Sequence, residues 1–539
     1  MGLAPPFDAG DDANAGEEPV PNVLPPTPLE RLRAWLGPAP SYALTRFVLL
    51  RLLGLVYLMA FLVAARQIVP LVGHDGLTPA DDFITWGIQR FGSRGDAFWK
   101  LPSLFWWGIS DGWLVGLAWV GVVLSLVLVA GFANSILLVV LWALYMSFVH
   151  IGQVWYGYGW EIQLLETGLL AAFLVPLFDP RPFPRRPPPT PVIWLYRWLI
   201  FRIMLGAGLI KLRGDPCWRD LTCLVYHYET QPVPNPLSPF FHAMPRGFHQ
   251  LGVLYNHLCE LVLPVFVFGP RRARHIAGAL MLFFQVTLIL SGNLSFLNWL
   301  TIVPIIACFD DSLLRRLLPR RLVAAATHAA ESPQALLLPQ KIAVWAYVGL
   351  VALLSLDPVA NLLSARQRMN TSFQPLALVN TYGAFGSVGK ERQEIIFEGS
   401  RDGTTWTPYE FPCKPGDPHR RPCLMSPYHY RLDWQIWFAA MGPVDDEPWT
   451  IHLVWKLLHN DPGALRLLAK NPFPGEPPRW VRARLFRYRF APRGDPAVWR
   501  RELIGDWLPA LSADDPNLIA ALRAYGWIDG VTGSGPAAP

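Results

Sequence analysis

Between Lys211 and Gln231 the chain reads KLRGDPCWRDLTCLVYHYETQ. That stretch carries Lys211, Arg213, Asp215, Arg219, Asp220, Glu229 and His227, with Cys217, Cys223, Trp218, Tyr226 and Tyr228 between them. It follows an apolar run, Val192–Ile210, long enough to cross a bilayer. A loop that only joins two membrane helices does not need so much ionisable chemistry. A second polar group lies further on, in YNHLCE, where His257 and Glu260 are three residues apart and so share a helix face. Ionisable groups inside spans are costly and face a protein interior or a watery cavity. Lys211, His227, His257 and Glu260 are therefore the candidates for moving a proton or holding a polar ligand. Arg202, Arg213, Asp215, Asp220 and Glu229 are the candidates for the surrounding pocket.

At about 1.5 Å of rise per residue, His257 is expected roughly 10 Å below the outer membrane face, within reach of long side chains such as Lys211 and Arg213. One outward-opening pocket between the fifth and sixth spans follows. The alternative is structural. His257 and Glu260 then form a buried ion pair with Arg202 or Arg197 that sets helix register, and 211–231 is a hydrogen-bonded knot with interfacial aromatic anchors.

The elements that position these residues are membrane helices. Of 539 residues, 52% are hydrophobic and 16% charged, against about 25% charged in soluble domains. The apolar runs have the length that a hydrocarbon core of about 30 Å demands. About nine spans are expected: Phe47–Val69, Trp113–Gly131, Ile136–Tyr156, Leu164–Phe178, Val192–Ile210, Phe248–Phe268, Ile276–Leu290, Leu297–Phe309 and Ile342–Leu356. The basic loops around Arg181–Arg186, Arg271–Arg274 and Arg315–Arg321 favour a cytoplasmic N-terminus. With nine spans the C-terminal third then lies outside. Residues 1–40 read as a disordered tail with a short helix around Pro28–Leu36, without the apolar core of a signal peptide.

From about Asn361 the pattern changes. The expectation is a polytopic α-helical membrane domain over 41–360, a β-rich, sandwich-like extracytoplasmic domain with helical insertions over 361–512, and a C-terminal tail over 513–539. Gln393–Gly399 and Thr405–Phe411 flank an Asp402-Gly403 turn signal, and Arg431–Phe438 and Trp480–Phe490 also read as strands. Pro448–Lys470 reads as one helix or two. Cys217 and Cys223, and Cys413 and Cys423, fall on the oxidising side, so two local disulfides are expected, with free buried thiols as the alternative. No CxxC, zinc spacing, haem motif, P-loop, nucleophile elbow or dinucleotide fingerprint occurs, so neither metal nor cofactor is expected. The net charge of +6 and the basic strand with Arg482, Arg484, Arg487 and Arg489 come without a nucleic-acid fold signature, so no nucleic-acid partner is expected.

Long strings of the chain resemble the lipase maturation factor family: Lys211–His242, Asn256–Arg274 and Ser291–Asp311 in the membrane half, and NTYGAFG (380–386), FPCKPGDPHRRPC (411–423), RLDWQIWFAA (431–440) and NPFPGEPPRWVRARLFRYRF (471–490) beyond it. The resemblance implies a membrane-anchored folding factor for secreted proteins, lipases among them. It also implies an oxidising compartment, with the outer domain and the 211–245 loop meeting the client. Membrane lipid is the other expected partner. The Arg-, Pro- and Ala-rich composition, and an end without a retrieval-type sequence, point to a bacterial inner membrane, or to the endoplasmic reticulum in a eukaryote. The competing class is an integral-membrane enzyme whose polar cavity acts on a lipid, a quinone-like cofactor or a translocated protein.

Overall fold

In the computed structural model, residues 40–528 are described; the helix expected at Pro28–Leu36 lies outside them. The described residues form one unit.

Its spine is the helix Ala43–Val72, 30 residues long and buried on most of its faces. The helix Asp111–Ala130 packs along it. Gly121 makes the close approach possible, since a Cβ there would sit 2.2 Å from the Phe61 ring. In lipid no hydrophobic force drives helices together, so small residues at the crossing supply contact instead. Among the described residues six helices are long and apolar enough to cross a bilayer. Besides these two they are Thr190–Arg213, Arg246–Phe268, Arg271–Ser291 and Leu338–Leu363. A seventh is possible if Leu297–Cys308 and Asp311–Leu317, bent by 119° at a short break, count as one span.

The expected nine thus reduce to six or seven by length and composition. The other expected spans are short pieces: Ser135–Ile151 with 17 residues and Gly159–Ala172 with 14. Gly159–Ala172 is buried almost throughout and carries Glu161 and Glu166. A helix wrapped in protein need not match the bilayer thickness.

The two ends of the spine differ. At its start, Asp311 accepts hydrogen bonds from the Ala43, Leu44 and Thr45 amides, an acid placed at a helix N-terminus. There Arg46 donates to the Arg186 carbonyl, and Arg271 and Arg274 each sit 2.9 Å from Asp310. The basic clusters therefore gather at one end. Near the other, Gln67 bonds the backbone of His429 and Arg431, and the Leu77 carbonyl meets His452. Thirty residues of helix separate these ends by about 45 Å.

Beyond residue 363 a four-stranded antiparallel sheet forms, in the order Thr407–Pro408, Arg392–Ser400, Trp480–Phe490, Trp499–Ser512. One face joins the main core through Ile395 and Phe397; the other carries a small cluster of Ile396, Tyr488 and Trp499. A two-stranded sheet, Thr371–Ser372 with Asn380–Thr381, accompanies it; these are small sheets with helices on them, and the expected sandwich is not what forms. Thr405–Phe411 yields only the two-residue strand, since Pro408 has no N–H to donate. The turn before it uses Asp402, which accepts from the Thr404 and Thr405 amides, and Gly403 at φ +74°.

Arg431–Ala439, expected as a strand, is a helix. Leu432, Trp434, Ile436 and Phe438 alternate, but Leu432, Ile436 and Ala439 equally mark one helical stripe, and those three are buried. The expected helix pair appears as Trp449–Leu458 and Pro462–Leu465. Within the C-terminal tail, Pro516–Ala524 is a helix capped by Asp515, with Leu518 and Leu522 buried.

Candidate functional site

A cavity of about 560 Å³ lies among the helices Thr190–Arg213, Arg246–Phe268, Arg271–Ser291 and Leu297–Ile305 and the short helix Cys223–Thr230. Lys211 enters it from the last turn of the first of these. The second begins as an α-helix, turns to a π-helix over Leu258–Val262 and tightens to a 3₁₀-helix over Leu263–Phe268. A π-turn inserts one extra residue and marks functional sites more often than ordinary helix does. Here it re-aims Glu260. The Lys211 ammonium lies 2.5 Å from Glu260 Oε1 and donates to Asn256 Oδ1 at 3.0 Å, while Asn256 Nδ2 donates to Glu260 Oε2 at 3.0 Å. Trp218 closes the ring, its face 4.9 Å from Lys211 Nζ. Lys211 and Glu260 are each 4% exposed. A buried pair of this kind survives only when further hydrogen bonds and good geometry offset the loss of water, and Asn256 and Trp218 provide both. Gly208 lets the helices approach, since a Cβ there would fall 2.6 Å from Leu261 and 3.0 Å from the Glu260 Cβ.

His227 lines the same cavity, its ring edge-on to Phe385 at 4.9 Å between centroids. Burial, with the Lys211 charge adding to it, pushes its pKa down to about 4, so the imidazole is neutral at physiological pH. Neither ring nitrogen has a hydrogen-bond partner among the described residues, although the residue is only 6% exposed.

His257 does not share Glu260's surroundings. Its Nε2 lies 3.0 Å from the Trp218 carbonyl, so it holds the segment that carries Trp218. The π-turn between the two residues is why the three-residue spacing misleads. Trp218 is further fixed by its indole N–H on the Phe385 carbonyl at 2.8 Å, and by Asp215, which caps Pro216–Arg219 through the Cys217 amide. Cys217 and Cys223 are bonded, with Cα atoms 4.8 Å apart.

The remaining nominated residues lie elsewhere. Arg202 pairs with Glu166, which also takes the Tyr382 hydroxyl and the Asn380 amide, and Arg202 itself bonds the Asn380 carbonyl. Arg197, the other proposed partner of Glu260, bonds the Ala307 carbonyl and the Tyr42 hydroxyl. Arg213 reaches Gln367 and the Leu362 carbonyl; Glu229 accepts from the Phe490 amide at 2.7 Å; Asp220 is exposed. Apart from Asp220 and Arg197, these residues stitch the C-terminal segment to the helical bundle.

The stitching is dense. Arg431, fully buried, lies 2.8 Å from Glu161 and stacks its guanidinium 3.5 Å over Tyr156. Arg392 and Lys414 both pair with Glu394, and Arg392 also donates to the Glu229 and Pro232 carbonyls, clamping the end of the 211–231 stretch. Cys413 and Cys423 are bonded at a Cα separation of 5.5 Å. Asn293, between two spans, donates to the Cys423 carbonyl and accepts from the Met425 and Ser426 amides. Cys259 and Cys308 are free and buried. Among the described residues no group of three or more His, Cys, Asp or Glu side chains is placed to hold a metal ion.

Two family models cover most of the chain: the lipase maturation factor transmembrane domain over residues 44–316 and the lipase maturation factor C-terminal domain over 378–509. The chain is 50% identical to Lipase maturation factor 1 of Bos taurus, over 90% of this chain and 91% of that protein. It is 48% identical to the Homo sapiens protein of the same name over the same shares, and 30% identical to Homo sapiens Lipase maturation factor 2 over 90% of this chain and 85% of that one. The chain belongs to the lipase maturation factor family. No solved structure matches it significantly.

In this family member most of the cavity lining falls within the transmembrane model, with Ala384 and Phe385 from the C-terminal one, and the Arg431–Glu161 pair joins the two. Asn256 escaped notice as a site residue, although its spacing of four from Glu260 is the signal for a shared helix face. Gln285 and Asn298, which bond each other at 2.8 Å in the cavity wall, carried no signal in their spacing.

Proposed function

We propose that the protein is a membrane-embedded maturation factor for secreted lipases, and that its clients meet the outer segment and the 211–245 loop. The observation that carries the reading is the match to named lipase maturation factors over nine-tenths of the chain, through both halves. What supports the placing of the client is the exposed apolar surface away from the spans. Leu424 is 74% exposed and Met441 59%, and Leu503 and Ile504 lie exposed on the strand Trp499–Ser512 at the sheet edge. An unpaired edge strand accepts an extended peptide by adding it as a further strand. The arginine-rich end of the bundle then faces the cytoplasm. The membrane is a bacterial inner membrane by composition, or that of the endoplasmic reticulum in a eukaryote.

The test is rescue. Cells lacking their own maturation factor are given a secreted lipase together with this chain, and lipase activity in the medium is compared with total lipase protein. The expected result is a rise in activity per lipase molecule. Unchanged specific activity with the chain correctly inserted would refute the reading.

A further inference from the structure

The cavity just described is more than a gap between helices. Its rim includes Leu251, 67% exposed, and Phe283, 62% exposed, with Leu290 and Val286 beside them. These residues sit on two helices long and apolar enough to cross a membrane, so in a bilayer the mouth opens sideways to lipid, between Arg246–Phe268 and Arg271–Ser291. Lys211 and Glu260, each 4% exposed, line the same cavity behind this rim, so the polar groups are set inside. The wall between is apolar, from Met204, Ala207, Phe284 and Leu294 among others.

We propose that this cavity binds one long-chain amphiphile with an uncharged, hydroxyl-bearing head, of the monoacylglycerol type, taken up laterally from the bilayer. Three observations set the chemistry. At about 30 Å³ for each water-sized group, 560 Å³ holds roughly 18 such groups, room for one chain and not two. It also lies within the range of about 300–1,000 Å³ usual for small-molecule sites. Lys211 and Glu260 neutralise each other at 2.5 Å, so a carboxylate, phosphate or ammonium head would lose its water and find no countercharge. His227 is buried, neutral and unpartnered in the cavity wall, and a neutral imidazole offers one donor and one acceptor, the complement of a hydroxyl. This site goes beyond the client-directed reading and does not depend on it.

The test uses the purified full-length protein in nanodiscs and a photoactivatable monooleoylglycerol. Saturable labelling is expected, with modified peptides between 246 and 291. Unlabelled monooleoylglycerol should compete at least about tenfold better than oleate or lysophosphatidylcholine, the scale of one well-made hydrogen bond or one unpaired charge. His227→Phe should weaken labelling by about tenfold or more, and Thr287→Trp, which fills the mouth, should abolish it, each with the thermal unfolding midpoint unchanged. If His227→Phe does not fold, Thr287→Trp decides alone. Labelling that does not saturate, oleate competing as well as the monoglyceride, or full labelling of folded Thr287→Trp would each overturn the proposal.

Discussion

Replacing Arg431 with Met should detach the two halves of the molecule. Arg431 Nη1 lies 2.8 Å from Glu161 Oε1, bonds the Trp155 carbonyl and covers Tyr156, and neither charged side chain is exposed at all. Methionine fills much of the space but leaves Glu161 in the interior with only the Tyr145 hydroxyl and the Trp160 indole N–H. Stranding one partner of a buried pair costs about 3–5 kcal/mol. Against a total stability of about 5–15 kcal/mol, that is a large fraction, and at 1.4 kcal/mol per tenfold it raises the population of opened molecules on the order of a thousandfold. Arg431→Lys should lie between, because an ammonium keeps the charge but loses the planar stack on Tyr156. The double variant Arg431→Met with Glu161→Gln removes both charges and should recover most of the loss. The assays are limited proteolysis of the detergent-solubilised protein, read as cleavage between the spans and the sheet, and the unfolding midpoint. If Arg431→Met is cleaved no faster than the parent, or if the double variant is worse than the two single changes added together, the anchor argument fails.

Glu260→Gln and Lys211→Met should each lower the abundance of inserted protein, since either strands the other member of the pair, and combining them should restore it; equal abundance of all three would remove the pair from the account. Replacing Cys413 and Cys423 with Ser opens a loop with a sequence separation of 10, which by the chain-entropy estimate costs about 3 kcal/mol. The chemical-denaturation midpoint of the unreduced variant should therefore lie below that of the unreduced parent, and reductant should bring the parent to that value or lower, since Cys217–Cys223 opens as well; a parent indifferent to reductant would contradict this. Burial pushes His227 and His452 down to about 4 and holds His429 well below its ordinary value, so the unfolded chain binds their protons first. Their contribution is complete above about pH 6.5 and is lost as pH falls from there toward 4. Asp433, raised to about 6 by burial, works in the opposite direction, as do Glu447 and Asp82, which burial also raises, while His242, lowered by burial, adds to the imidazole side. The unfolding midpoint should drop between pH 7 and pH 5, and a rising midpoint would show the balance to be misjudged.

What could be read directly was whatever depends on local pattern. Apolar runs located the long spans, alternation located Arg392–Ser400 and Trp480–Phe490, and the cysteine positions led to both disulfides. Patterns that satisfy two periods at once were misread, as at Arg431–Ala439. Spans were overcounted because Gly159–Ala172 is as apolar as a membrane helix while being sheathed in protein. At the site, Lys211, His227 and Glu260 were recognisable because charge in an apolar setting is conspicuous. Their partners were harder, since the ideal helix of 3.6 residues per turn joins Glu260 to His257, and only the π-turn at Leu258–Val262 turns it toward Lys211 instead.

The same charges carry a wider consequence. Most of the ionisable residues that stood out in 197–231 do not line a pocket; they fasten the C-terminal segment to the bundle through Arg202, Arg213, Asp215 and Glu229. Together with Arg431 and Arg392 they add polar contacts to the apolar core that the two halves share. Such contacts are directional: they hold one arrangement and leave the others with unpaired charges. If the edge strand is where a client docks, as proposed above, that rigidity helps, because a surface held in place loses less entropy on binding than one that must be ordered first. The cavity lies directly beneath this junction, with Trp218 and Phe385 shared between its wall and the outer segment's attachment. Trp218 therefore links the cavity by contact to the base of the C-terminal half.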